Sequence, residues 1–149
     1  MAGVSVSEED QFFKDAEAAA KKAIWAALAT VKDGEPRVRM VHPTWEGKTL
    51  WIATGPETPK AQQIRDQGAV DIQFQVAPED FVHLMVRGQA QVITDNATKS
   101  RVWDVMDYDL AQFFPDGRES EHYCVIRIDP SRVELSEMFG TLSKRVWRG

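Results

Sequence analysis

The stretch ALATVKDGEPRVRMVH, residues 27–42, decides how this chain folds. Apolar and β-branched residues lie on both sides of its Asp33-Gly34 pair, and an Asp-Gly pair between two such runs is a strong signal for a β-hairpin. We therefore predict a strand over residues 24–31 and a second strand over residues 36–44. A third strand follows over residues 49–54, which gives an antiparallel meander in the first third of the chain.

Helices and further strands are predicted around this meander. Ser7 precedes three acidic residues and an Ala-rich segment, a pattern typical of a capped helix that we extend to Lys22. Thr58 and Pro59 are suited to begin a second helix that ends near residue 67. Hydrophobic periodicity predicts a third helix over 95–108 and strands over 70–76, 81–94, 122–128 and 132–138. The pattern indicates one domain over residues 1–149, an antiparallel barrel with peripheral helices.

Composition narrows the classes of protein. The 149 residues carry a net charge of −5, and an acidic chain argues against nucleic acid as a partner. No apolar run approaches the roughly 20 residues of a membrane span, and the first residues do not form a secretory signal. We therefore expect a cytoplasmic protein without a membrane partner. The basic segment 143–149 is interpreted as a solvated tail.

Standard catalytic and metal motifs are missing. The three histidines, His42, His83 and His122, are too far apart in sequence for a local metal-binding pair. The aspartates of segment 104–109 lack the glycine and glutamate of a calcium loop and are interpreted as a solvated face. The one cysteine, Cys124, cannot form an internal disulfide and is expected to be a small buried hydrophobe. No metal site and no catalytic side chain are predicted.

Basic and hydroxyl groups instead suggest a phosphate site. Arg37 and Arg39 project from the same face of one strand, and a guanidinium matches phosphate oxygens bidentately. Thr54 ends the next strand, and Thr58 and Lys60 begin a helix, where free amides favour an anion. Because adjacent strands of a meander lie side by side, these groups are expected to converge. In the alternative interpretation they are solvated surface charges.

Several segments resemble one known family. Residues 27–42, TLWIAT at 49–54 and KAQQI at 60–64 are similar to the pyridoxamine 5′-phosphate oxidase-like FMN-binding split-barrel superfamily. VRGQAQV at 86–92 and IDPSRVEL at 128–135 resemble its general stress protein 26 branch. The resemblance covers about residues 10–140. It implies a mainly β (α+β) fold, an antiparallel split β-barrel with peripheral helices, that binds FMN at the interface of a homodimer.

The resemblance also implies which residues bind FMN. Arg39 and Lys60 match the family's phosphate-binding Arg and Lys, and Thr58 matches a nearby hydroxyl. Pro59 stands where the oxidases have a second phosphate-binding Arg, so either Arg37 compensates for it or the phosphate is held less tightly.

Further residues are implied along the flavin ring. The strand beside the ring continues through Met40, Val41 and His42. Ala53 and Thr54 match the pair at the end of the next strand, with Ala in place of an aromatic residue. His83 falls where the oxidases carry a flavin-contacting Gln.

These implications lead to one main hypothesis and two alternatives. The main hypothesis is an FMN-dependent oxidoreductase or flavin reductase of the stress-response type that uses NAD(P)H and acts on an unidentified small molecule. Flavin itself accepts and releases hydride, which explains the missing catalytic motifs. The alternatives are a flavin store or sensor without turnover and a reductase that uses the deazaflavin F420. The oxidases' C-terminal Trp and Arg constellation is not reproduced, which argues against pyridoxamine phosphate oxidation.

Overall fold

A computed structural model describes residues 7–75 and 81–149. Its helices are α1 (Glu8–Ala23), α2 (Pro59–Asp66) and α3 (Asn96–Val105). Its strands are β1 (Ala26–Lys32), β2 (Glu35–Val41), β3 (Thr44–Glu46), β4 (Thr49–Thr54), β5 (Ala69–Phe74), β6 (Val82–Ile93), β7 (Cys124–Glu137) and β8 (Leu142–Arg148). The predicted strand end at Val76 and the connection through residues 78–80 lie outside the described residues.

The strands form one antiparallel sheet in the order β2-β1-β5-β6-β7-β4-β3, with β8 paired to β7. The prediction of a mainly β (α+β) fold with peripheral helices is confirmed. None of the helices in residues 7–75 and 81–149 combines the length and the apolar character that a membrane crossing requires.

Local sequence signals set the predicted boundaries. Asp33 and Gly34 both have positive φ, 52° and 76°, as a two-residue hairpin turn of type I′ requires. The side chain of Ser7 accepts a hydrogen bond from the amide of Asp10 and caps α1. Thr58 caps α2, and Pro59 is its first residue. These turn and cap predictions are confirmed.

The predicted meander is wrong in one respect. Strand β2 pairs only with β1 among the described strands, whereas β4 pairs with β3 and β7. The chain leaves the sheet at His42-Pro43, because proline has no amide hydrogen to donate and restricts the backbone conformation of the residue before it. Strand β4 then enters the sheet elsewhere, where Leu50, Trp51 and Ile52 are all buried. The groups at the ends of β2 and β4 are therefore not brought together by strand pairing.

The end of the chain also differs from expectation. The two predicted strands over 122–128 and 132–138 are one strand, β7, whose register against β6 shifts beside Gly88. A Cβ at Gly88 would lie 2.4 Å from the carbonyl oxygen of Asp129, so only glycine fits this approach. The segment 143–149 is exposed apart from Trp147, as expected, but it is not a tail, since most of it forms β8. Trp147 on β8 packs against Phe13 with ring centroids 5.0 Å apart.

The core has two parts. The larger lies inside the curved sheet under α1 and α2 and includes Leu28, Ile72, Leu84, Val86, Ile126 and Ile128. The smaller lies between α3 and the outer side of β4 and β7, around Trp51, Val102 and Tyr123. Cys124 is fully buried, as predicted, and burial raises the pKa of its thiol.

Candidate functional site

Arg39 is fixed where strand β2 meets helix α2. Its Nη2 donates to Oε1 of Gln63 over 2.6 Å, and its Nη1 donates to Thr30 Oγ1 and the Leu28 carbonyl. Thr30 donates in turn to the same Gln63 oxygen over 2.6 Å. Gln63 lies one turn after Lys60 on α2, so this network holds the guanidinium beside the start of the helix.

Lys60 is the second cation at this point. Its pKa is lowered, first by burial and then by the charge of Arg39. The ammonium is about half-buried, and within residues 7–75 and 81–149 no hydrogen bond or ion pair engages it. The first turn of α2 contains no acidic residue. Two neighbouring cations without a carboxylate between them form a site that favours an anion.

Two threonines, Thr54 and Thr58, precede Lys60 in the chain. Thr58 Oγ1 donates to the Gly55 carbonyl over 2.8 Å and lies 3.3 Å from Thr54 Oγ1. The turn from β4 into α2 is thereby fixed, and it places Thr58 two residues before Lys60.

An apolar cleft of about 520 Å³ begins at Lys60. It lies against the end of β2 and the connection that follows α3. Its lining comprises Ile24, Trp25, Met40, Val41, His42, Ile52, Ala53, Lys60, Tyr108, Gln112, Phe113 and Phe114. Pockets of this size and character take small, largely apolar ligands. The cleft and the two cations together form a site for a ligand with a flat apolar part and an anionic end.

His42 is held firmly in the wall of this cleft. Its Nε2 lies 2.8 Å from Oδ1 of Asp107, and that carboxylate also accepts a hydrogen bond from Thr44 Oγ1 over 3.0 Å. The imidazole stacks on Tyr108 with ring centroids 4.1 Å apart and meets Trp25 edge-on at 5.3 Å. Burial, followed by the charge of Asp107, raises the pKa of Tyr108 to about 12, so its phenol stays neutral.

The structure brings together most of the predicted site residues. Arg39, Lys60, Thr54 and Thr58 lie around the start of α2, whereas Met40, Val41, His42 and Ala53 line the cleft. The convergence arises from the packing of α2 on β1 and not from the predicted pairing of neighbouring strands. Arg37 is turned away: its Nη1 lies 3.3 Å from Glu35 Oε2 and donates to the Pro36 carbonyl.

His83 lies apart from this group within one chain. A cross-strand row joins Met40, Ala27, Gln73 and Met85, so about three strand spacings, roughly 14 Å, separate β6 from β2 along that row. His83 is two residues before Met85, on the same outward face. Its Nδ1 is buried and makes no hydrogen bond, and the same holds for Oγ of its cross-strand neighbour Ser136.

Sequence reasoning missed Gln63, Asp107 and Tyr108. Asp107 is exposed, as expected of a solvated face, but its carboxylate also contacts His42 and Thr44. No local motif joins positions that are 65 residues apart in sequence, as His42 and Asp107 are. Gln63 lay within the KAQQI segment, where its spacing of one helical turn from Lys60 was the available signal. The described residues contain no group of three or more potential metal ligands.

Comparison with known proteins identifies the family. Residues 12–137 match the model of the pyridoxamine 5′-phosphate oxidase family. The chain is 28% identical over 111 residues to general stress protein 26 of Bacillus subtilis strain 168, covering 73% of this chain and 76% of the relative. This protein therefore belongs to the pyridoxamine 5′-phosphate oxidase family, and its relationship to general stress protein 26 is as the sequence suggested.

Solved structures show the same fold. A Clostridium acetobutylicum protein related to general stress protein 26 superposes with a TM-score of 0.75 at 17% identity, covering 93% of this chain and 95% of the other. A pyridoxamine 5′-phosphate oxidase-related, FMN-binding protein of Nostoc punctiforme superposes with a TM-score of 0.61 at 17% identity, covering 99% of each chain. The predicted split-barrel fold is thereby confirmed.

Proposed function

We propose that this protein binds FMN, with the phosphate at Arg39 and Lys60 and the ring in the apolar cleft. The observation that carries the proposal is the half-buried ammonium of Lys60, which lies beside a second cation and has no acidic partner among the described residues. A phosphate at this position would satisfy both cations and add charge-assisted hydrogen bonds.

The spacing of the site suits a mononucleotide. Arg39 lies on β2 and His42 directly follows the end of this strand, and the three-residue step from one to the other spans about 10 Å when extended. A five-carbon polyol chain bridges a comparable distance between a phosphate and a ring. Thr58 would add a hydroxyl at the phosphate end, and Met40, Val41 and Ala53 would contact the ring. The FMN-binding protein of Nostoc punctiforme has the same fold, which supports this choice of cofactor.

The functional unit in this proposal is a homodimer. Trp25, Met40 and Phe113 line the cleft and are 48%, 58% and 62% exposed, and Val38 beside them is 66% exposed. Such a cluster of exposed apolar side chains is typical of an interaction surface. A twofold-symmetric dimer that packs through this face would bury these apolar side chains on both subunits. It would also give the unpaired Nδ1 of His83 of the partner subunit a place at the ligand.

We further propose that the protein is an oxidoreductase or flavin reductase that uses NAD(P)H. Bound FMN supplies the electron transfer chemistry, and the chain supplies binding, orientation and an apolar environment. A role in the stress response is proposed from the name of the Bacillus subtilis relative.

The test is the absorption spectrum of freshly purified protein, with mass spectrometry of the small molecules that it releases on denaturation. We expect a flavin spectrum and the mass of FMN, and bleaching on addition of NADH or NADPH followed by reoxidation with an acceptor. Bound FMN without turnover would instead support a store or sensor. If F420 displaces FMN in a competition experiment, the deazaflavin alternative is supported. A folded, colourless protein that ignores all added flavins would contradict the proposal.

A further inference from the structure

A second cavity, of about 600 Å³, adjoins the start of helix α2. Pro59 and Gln63 of the helix line this cavity, whereas Lys60 lines the apolar cleft. Gln63 is also the residue that accepts the hydrogen bond from Arg39. The two cations assigned to the phosphate therefore lie between the apolar cleft and the second cavity.

Strand β2 gives the same order of elements. Met40 lies in the cleft and Arg39 is the next residue toward the hairpin turn. Pro36, three residues further on, pairs with Val31 in the lining of the second cavity. Three extended residues span about 10 Å, so a ligand that runs from the cleft past Arg39 continues toward the second cavity.

The charges in this cavity are mainly negative. Its charged lining consists of three exposed carboxylates and one exposed ammonium, those of Asp33, Glu57, Asp66 and Lys32. Within residues 7–75 and 81–149 no hydrogen bond or ion pair engages any of the three carboxylates. Arg65, the other cation of α2 besides Lys60, is turned to the Pro56 carbonyl over 2.8 Å and does not line the cavity. We call this cavity the acidic groove, and its charge is opposite in sign to that of Arg39 and Lys60.

We propose that the acidic groove makes the site specific for a cofactor that ends at its phosphate. A ligand with its ring in the cleft and its phosphate at Arg39 and Lys60 would place any further group in or beside the groove. The carboxylates of the groove would repel an anionic group there, because like charges brought together disfavour a ligand. This proposal rests on the proposed FMN function and adds the residues that exclude related cofactors.

The excluded ligands are defined by their chemistry. FMN ends in a phosphate monoester, whereas FAD continues with a second phosphate and an adenosine. F420 continues from its phosphate with a tail that carries several carboxylates. Two unit charges about 8 Å apart in water repel each other enough to change a binding constant roughly twofold. Three carboxylates acting on one anionic group therefore change it about tenfold together.

The experiment measures the dissociation constants of FMN and FAD for the flavin-free full chain, by calorimetric titration at low ionic strength. Both ligands have the same ring, polyol and first phosphate, so the ratio of their constants reports only what lies beyond that phosphate. FAD should bind the wild type at least about tenfold more weakly than FMN. In the groove variant, Asp33→Asn/Glu57→Gln/Asp66→Asn, the ratio of the FAD constant to the FMN constant should fall roughly tenfold. Added salt should lower the wild-type ratio in the same direction, because it screens exposed charges.

The matched control removes three exposed carboxylates that line neither cavity, in the variant Glu8→Gln/Asp10→Asn/Glu119→Gln. It changes the net charge by the same amount as the groove variant and should keep the wild-type ratio. Asparagine suits the positive φ of Asp33 in the hairpin turn, and retained FMN binding shows that the groove variant is folded. F420 is the second probe, and its affinity should rise in the groove variant and stay unchanged in the control.

The outcomes separate this inference from the proposed function. If the wild type binds FMN and FAD equally well, or if the groove variant binds FMN and keeps the wild-type ratio, the role of the acidic groove is overturned and FMN binding stands. A wild type that binds neither FMN nor FAD would overturn the proposed function and this inference with it.

Discussion

Gln63 on α2 and Arg39 on β2 share a hydrogen bond of 2.6 Å from Nη2 to Oε1, which ties the helix to the strand. The same oxygen accepts from Thr30 on β1, so three elements meet at one buried side chain. This junction, and not the pairing of neighbouring strands, positions the two cations of the candidate site.

Replacing Gln63 should therefore reduce both stability and cofactor binding. Gln63→Leu leaves the Arg39 and Thr30 groups without their acceptor, and the free energy of unfolding should fall by about 2 kcal/mol. Urea denaturation monitored by tryptophan fluorescence measures the change. Gln62→Leu, at the exposed neighbouring position, is the control, and equal effects of the two variants would contradict the role of Gln63.

The lowered pKa of Lys60 predicts a specific pH dependence of stability in the absence of ligand. In the unfolded chain the Lys60 ammonium has its ordinary pKa of 10.5, whereas in the folded chain it loses its proton at a lower pH. The unfolding free energy of the wild type should therefore rise, relative to that of Lys60→Met, as the pH rises toward 10.5. At neutral pH Lys60→Met should be the more stable protein.

Added phosphate should change the order of stability of the wild type and Lys60→Met. It should stabilise the wild type and leave Lys60→Met nearly unaffected, because an anion restores a favourable environment for the ammonium. Thermal unfolding of both proteins across the pH range, with and without phosphate, provides the measurement. A difference between them that is independent of pH would argue against the buried ammonium.

The proposed dimer face predicts a change in oligomeric state. Val38→Asp places a charge on each copy of the exposed β2 face, and symmetry makes the substitution count twice. The dissociation constant should rise at least about tenfold, which corresponds to ~1.4 kcal/mol. Sedimentation velocity distinguishes the species. Ala97→Asp adds the same charge at an exposed position of α3 and should leave the dimer intact, whereas a wild-type monomer would contradict the proposal.

The packing of β8 on α1 predicts that a substitution near the end of the chain destabilises the fold. Trp147 packs on Phe13 and donates from Nε1 to Glu9 over 2.9 Å, so it fastens α1 to the sheet. Because the side chain is only partly buried, Trp147→Ala should cost about 2 kcal/mol, less than for a fully buried tryptophan. Arg148→Ala, at the exposed neighbouring position, should cost little. A negligible effect of Trp147→Ala in urea denaturation would mean that β8 contributes no stability.

Local signals in the sequence predicted the elements well. The Asp33-Gly34 turn, the Ser7 and Thr58 caps and the alternation along β6 are decided by neighbouring residues, and all are as predicted. Strand order was not predictable in the same way. The pairing of β4 with β7 joins residues that are 70 to 78 positions apart in sequence, and no local signal indicates such a pairing.

The site was predictable only in part for the same reason. Arg39 and Lys60 carried recognisable chemistry and family spacing, and the structure places them together. Asp107 was assigned to a solvated face, because nothing in its own segment indicates the distant partner His42. Arg37 shows the opposite error, since strand alternation predicts its face but not its local pairing with Glu35.

The central claim is that Arg39 and Lys60 bind the phosphate of a flavin mononucleotide. Its most direct test is the dissociation constant of FMN and of riboflavin for the wild-type apoprotein and for Lys60→Gln, measured by quenching of flavin fluorescence. Loss of a hydrogen bond to a charged group costs about 1.5–3 kcal/mol, so FMN binding should weaken roughly 10- to 150-fold while riboflavin binding stays nearly constant. Equal weakening of both ligands, or of neither, would contradict the claim.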